Sequence, residues 1–261
     1  MVSTATAITS LTSLAGKLDD TSIHEIRKLT KQFRAQLDLQ RALHGKNPER
    51  EKVHQSLRQL ARLLCPQRDR CVMDAALGEL ADQSSGQPDL VRLLNSLRNA
   101  LGSKSLTEPE FHKIQKLAAE VVAKAPGLMS SSFNDGMLDQ FLYSRLSELS
   151  KLGPGLLVAQ DFDALHKWRK QIKALMYQFQ LKSSPSAKDL EIMDKLDQLG
   201  GSLGKVNDMH VLRDTLLQKF DGQEVAESQS QFASVMAMID VRLREELESS
   251  RQLHYVLSTW L

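Results

Sequence analysis

Histidine, arginine and lysine recur in this chain at a spacing suited to holding an anion. In Ile-His-Glu-Ile-Arg-Lys-Leu-Thr-Lys, residues 23–31, the basic side chains are His24, Arg27, Lys28 and Lys31. In Leu-His-Lys-Trp-Arg-Lys-Gln-Ile-Lys, residues 165–173, they are His166, Arg169, Lys170 and Lys173. Each set stands at i, i+3, i+4 and i+7, and a helix turns about 100° per residue, so each set shares one helical face. An ordinary solvated face mixes acids with bases, whereas these stripes set like charges side by side. That arrangement costs stability unless an anion offsets it. Arginine offers planar bidentate contacts to phosphate oxygens, and lysine offers a mobile point charge. Cationic neighbours are expected to lower the histidine pKa values, so that protonation adds charge and affinity rises on acidification between pH 8 and 5.5.

The two stripes belong to an internal repeat. Residues 23–31 align with 165–173 at an offset of 142, and the apolar pairs Ile23/Leu165, Ile26/Trp168, Phe33/Leu175 and Leu37/Phe179 follow. A second block, Leu64-Cys65-Pro66-Gln67-Arg68-Asp69, lies over Leu203-Gly204-Lys205-Val206-Asn207-Asp208 at an offset of 139, with Val72 over Val211 and Leu77 over Leu216. Two blocks in one order at nearly one offset read as two copies of a helical unit. Copies related by a pseudo-twofold axis would bring the two stripes to one shared basic channel.

The elements that carry the stripes are helical. Ile23, Ile26, Thr30, Phe33 and Leu37 trace one face of a helix from about Ser22 to Leu43, opened by Ser22 with Glu25 and closed by Gly45 and Pro48. Further helices are predicted over 49–64, 89–101, 110–123, 137–152 and 161–181. Pro66 kinks one helix or starts another. A helix from 187 to 220 is interrupted at Gly200, Gly201 and Gly204, and a last helix runs over 225–258. Residues 125–134 read as loop, and Gly153-Pro154-Gly155 is the strongest breaker. No strand-like alternation appears. The expected fold is all-α: helix bundles with antiparallel neighbours and short loops, in two copies related by a pseudo-twofold. They cover residues 21–152 and 156–261, after a flexible tail over 1–20.

Composition narrows the function classes. The chain has 261 residues and is 41% hydrophobic, enough for a core and too much for bulk disorder. Net charge is +2, yet residues 24–34 carry +3 and 166–173 carry +4, leaving −5 on the rest. Such concentration focuses an anionic ligand. Cys65 and Cys71 fit neither a disulfide hairpin nor a CxxC pair, and reduced thiols in the cytoplasm are the expectation. There is no apolar run for a membrane span and no leader signature at the start.

The two HxxRKxxK segments, with Arg68-Asp69 and Asn207-Asp208 after them, resemble the CHAD family, the conserved histidine α-helical domains. The likeness runs from about Ser22 to the last helix. It implies two pseudo-symmetric four-helix bundles around a basic cavity, non-catalytic binding of inorganic polyphosphate, and for some members association with polyphosphate granules. It carries phosphate contact onto His24, Arg27, Lys28, Lys31, His166, Arg169, Lys170 and Lys173. Arg34 follows one turn on, and Arg58, Arg62 and Arg68 form a third tier. Asp69 and Asp208 orient a base or cap a turn. Departures are Met176 opposite Arg34, Asn207 opposite Arg68, Cys65-Pro66 where glycine is expected, and few bases over 137–152. They suggest a lopsided channel. The ExExK strand of the triphosphatase domain fused to some members is absent, so no hydrolase is expected here.

Three other functions compete. Phosphotransfer through His24 or His166 lacks the Lys-Gly of histidine phosphotransfer domains, and no P-loop, GxSxG, HExxH or carboxylate pair for Mg²⁺ is present. No metal, cofactor or catalytic residue is expected. Nucleic acid is a weaker fit, since the stripes lack stacking aromatics. The remaining alternative is a scaffold that docks an acidic protein partner. His44, His54, His112 and His254 read as structural or surface residues and carry no functional expectation, and His210 is a weak candidate.

Overall fold

The computed structural model describes residues 4–101, 106–129, 133–220 and 229–259. Among them every regular element is a helix. In chain order these are α1 (Thr4–Ala15), α2 (Asp20–His44), α3 (Pro48–Leu63), α4 (Cys65–Gln83) and α5 (Pro88–Ala100). Then come α6 (Glu108–Met129), α7 (Asp135–Ala159), α8 (Phe162–Phe179), α9 (Ala187–Phe220) and α10 (Gln229–Ser258).

The chain forms two compact units. One comprises Met1–Arg68, Lys104–Ser147 and Lys173–Met193; the other comprises Asp69–Ser103, Glu148–Ile172 and Asp194–Leu261. Helices α4, α7, α8 and α9 contribute residues to both. This grouping differs from the expected halves 21–152 and 156–261, and the apolar contacts give the reason. In the second unit Leu77 and Leu80 of α4, Leu90, Leu94 and Leu97 of α5, Leu212 and Leu216 of α9, and Val235 and Ile239 of α10 share one core. Helices from both sequence halves bury their stripes together, so sequence order does not partition the packing.

In the first unit α1, α2, α3 and α6 surround a core that includes Leu11, Ile26, Phe33, Leu57, Leu60, Ile114 and Val121. Helix α1 corrects the expectation of a flexible tail over 1–20. Leu11 and Ala15 are buried to 0% and 1% exposure in that core, so burial of an apolar stripe orders a Ser/Thr-rich segment that propensity alone left frayed. Helix α2 starts earlier than the Ser22 signal suggested, because the Asp19 carboxylate accepts the Ser22 N–H at 2.7 Å. It ends as expected at Gly45, whose φ of 79° lets its N–H reach the Arg41 carbonyl.

Two glycine clusters read as breakers lie inside helices. Helix α7 continues through Gly153, Pro154 and Gly155 to Ala159. A Cβ on Gly153 would sit 2.5 Å from the His254 ring and 2.9 Å from Trp168. Both rings are pinned: Trp168 Nε1 donates to the Leu149 carbonyl at 3.0 Å, and His254 Nε2 donates to the Ser150 carbonyl at 2.8 Å. Gly153 is thus a packing glycine, and tertiary contact overrides its weak helix propensity. Helix α9 is likewise continuous across Gly200, Gly201 and Gly204, held by buried Leu199, Leu203 and Val206. Under the offset of 139, α9 covers the interval that α3 and α4 cover together. The difference is Pro66, which has no N–H to continue α3 and instead opens the first turn of α4. Helix α6 also runs further than predicted, to Met129, and residues 130–132 and 225–228, assigned above to a loop and to the last helix, lie outside the described residues.

The turn from α8 to α9 rests on a polar network. Ser186 caps α9, with its N–H donating to Asp189 Oδ2 at 2.7 Å. Lys182 Nζ bridges Asp189 at 2.7 Å and Asp139 at 2.6 Å, and Tyr143 Oη donates to Asp189 at 3.1 Å. Desolvation opposes ionisation of buried Asp189, but Lys182, Ser186 and Tyr143 together hold its pKa down at about 2.

Gly153→Ala should destabilise the protein by about 1–3 kcal/mol through overpacking, despite alanine's better helix propensity. Thermal unfolding checks this; an unchanged or higher Tm would contradict the packing role.

Candidate functional site

The first stripe occupies the opening turns of α2. Its apolar side is fully committed, with Ile23, Ile26, Leu29, Phe33 and Leu37 buried. His24, Lys28 and Lys31 are exposed on the other side, while Arg27 and Arg34 are half-buried. The bases therefore stand where the spacing placed them. Lys28 pairs with Glu25 at 3.8 Å, an exposed contact of small worth.

Two members of this stripe turn partly inward. Arg27 Nη1 donates to the Ala61 carbonyl at 3.0 Å, in the last turn of α3 where carbonyls lack intrahelical partners. Arg34 has its Nε enclosed without a hydrogen-bond partner among the described residues. Burial pushes its pKa down, opposed by Asp38 and reinforced by Arg58. Arg58 of α3 thus stands near enough to Arg34 to act on its charge, so two of the lower-tier arginines share one neighbourhood. Arg58 and Arg62 are exposed, and Arg68 is half-buried at the start of α4.

The second stripe lies on α8, with Leu165, Trp168, Ile172 and Leu175 buried beneath it. Lys170 is exposed, whereas His166, Arg169 and Lys173 are half-buried. His166, Arg169 and Lys170 belong to the second unit and Lys173 to the first. Lys173 Nζ lies 5.7 Å from the Tyr177 ring centroid, a cation–π approach. Arg169 Nε donates to the Gly200 carbonyl at 3.1 Å. Met176, opposite Arg34 in the alignment, is buried to 4% exposure, so the second stripe closes on an apolar residue where the first adds a charge.

His166 departs from the expected pH behaviour. Burial, then Lys170 and Arg169, push its pKa down to about 4, against upward pulls from Asp208 and Asp163. Its Nδ1 is enclosed and has no hydrogen-bond partner among the described residues. Burial is thus the larger cause, ahead of the cationic neighbours that the sequence named. With that pKa the unliganded His166 stays neutral from pH 8 to 5.5, so by itself it gives no rise in affinity over that range. Asp208 stands near enough to His166 to act on its charge.

Two further histidines pack against aromatic rings. His254 is the buried partner of Trp168. His210 stacks on Phe162 at 4.1 Å and meets Asp214 at 3.4 Å. Sequence reading missed the cavity of about 310 Å³ lined by Asp135, Asp139, Tyr143, Lys182, Ser184, Ser186 and Asp189. Three carboxylates against one ammonium make it hostile to an anion. Only the Ser186–Asp189 spacing, a capping-box pattern, signalled any of it.

The His166 pKa makes a stability prediction. The unfolded chain takes up a proton near pH 6.5 that the folded state refuses until about pH 4. Stability is therefore retained above about pH 6.5 and lost as pH falls towards 4. His166→Gln should flatten that part of the pH–Tm profile; an unaltered profile would show that His166 titrates normally.

No curated protein and no solved structure matches the chain. The family model for the CHAD domain matches residues 10–217. The match begins within α1, whose core contacts are those described above, and it ends before α10, short of the extent read from sequence. A match over that much of an all-helical chain, spanning both basic stripes, shows that the protein belongs to the CHAD domain family.

Proposed function

We propose that the protein is a non-catalytic binder of inorganic polyphosphate. The observation that carries this reading is the pair of helices, α2 and α8, that bury an apolar face and present His/Arg/Lys stripes of one spacing on the other. Membership of the CHAD family is consistent with it. Lys28, Lys31, Lys170 and Lys173 supply mobile charge, and His24 and His166 donate or accept hydrogen bonds beside them. Arg34 extends the first stripe, with Arg58, Arg62 and Arg68 as its flank. A polyanion relieves the repulsion within each stripe, and counterion release adds a salt-dependent gain. No helix among the described residues is long and apolar enough to cross a membrane. On this reading the protein acts in the cytoplasm and attaches to polyphosphate granules.

Charge reversal tests the assignment. Replacing Lys28, Lys31, Lys170 and Lys173 together by Glu should weaken polyphosphate binding at least about a hundredfold, with helical content unchanged by circular dichroism. Binding that persists with the same salt dependence would remove these lysines from the site. Retention of an acidic protein by the variant would count equally against it.

A further inference from the structure

We infer that Arg169, with Arg27 as its counterpart, is a positioning residue that locks a basic helix onto the helix behind it, rather than a phosphate contact. This inference rests on the polyphosphate reading and refines which cations of the stripes meet the ligand.

The two arginines make the same kind of bond at matching places. Arg27 and Arg169 correspond under the offset of 142, and Ala61 and Gly200 correspond under the offset of 139. Each guanidinium donates to the backbone carbonyl of its matching partner, at 3.0 and 3.1 Å. One bond lies within each compact unit. Both arginines are half-buried, as are His166 and Lys173, while His24, Lys28, Lys31 and Lys170 are exposed. What sets the two arginines apart is the bond each makes to a carbonyl of the helix behind it. A carbonyl is a directional acceptor, so this clasp fixes the rotation of its helix and with it the direction of the lysines one residue later.

Gly204 adds an independent observation. A Cβ there would lie 2.8 Å from Arg169 Nη2 and 3.1 Å from its Nε. The glycine therefore leaves room for the guanidinium to lie against α9. In the first copy the aligned residue is Cys65, and there the bond comes from the outer nitrogen Nη1 instead of Nε. The residue type at this position matches how deep the arginine reaches. Gly204 is buried in mid-helix, where alanine would otherwise be preferred.

The inner nitrogen makes a clean test possible. The glutamine Nε2 stands as many bonds from the backbone as the arginine Nε, so Arg169→Gln keeps a donor near the same place and removes the charge. Arg169→Met keeps the stem and removes the donor. Binding of medium-chain polyphosphate is measured across a salt series for the full chain and its variants. Arg169→Gln should bind within about threefold of the unaltered protein, and Arg169→Met about tenfold more weakly. Both should leave the salt slope unchanged, whereas Lys170→Gln should lower it by about 0.7. Gly204→Ala should weaken binding, since the guanidinium must shift off the Gly200 carbonyl, and should have no further effect in the Arg169→Met background. A salt slope that falls in Arg169→Gln as in Lys170→Gln would make Arg169 a ligand contact and overturn the inference. A Gly204→Ala effect that survives Arg169→Met would overturn the clasp. No binding by the unaltered protein would overturn the polyphosphate reading itself, and this role with it.

Discussion

Like charges one helical turn apart repel, and a helix that carries them must be held by something other than its own surface. Here the holding force is burial of the opposite face. Ile23, Ile26, Phe33 and Leu37 anchor α2, and Leu165, Trp168, Ile172 and Leu175 anchor α8. Removing each such side chain from water is worth about 1.5–3 kcal/mol, against a few tenths for a like-charge pair on a helix. The apolar term wins easily, so the stripes remain helical and charged without a ligand. Their repulsion stands ready to be relieved by a polyanion.

The same constraint explains the histidine. A cation-rich face that is also half-enclosed penalises any further positive charge, so His166 is held neutral well below its ordinary pKa. A neutral imidazole there can still hydrogen-bond to an anionic oxygen through whichever nitrogen bears the proton. Its contribution is then geometric rather than coulombic.

Much of this was legible in the sequence. The i, i+3, i+4, i+7 spacing placed the bases on one face, and the apolar residues between them are the ones found buried. The family resemblance followed from those segments. Three features were not legible, each because tertiary packing overrode a local signal. Leu11 and Ala15 fold α1 onto a core, where residues 1–20 alone read as a tail. Gly153 and Gly204 accommodate Trp168, His254 and Arg169 inside continuous helices, where glycine alone read as a break. Helices α4 and α5 share a core with α9 and α10, so the compact units do not follow the order of the repeat. Among the bases, sequence also ranked arginine with lysine, because spacing does not tell an outward guanidinium from one bonded to a neighbouring carbonyl.

The central claim is that these stripes hold inorganic polyphosphate. Calorimetric titration of the purified chain with medium-chain polyphosphate at about 150 mM salt, with RNA as competitor, tests it most directly. The account predicts saturable binding that RNA does not displace. Absence of heat, or displacement by RNA at comparable phosphate concentration, would contradict it.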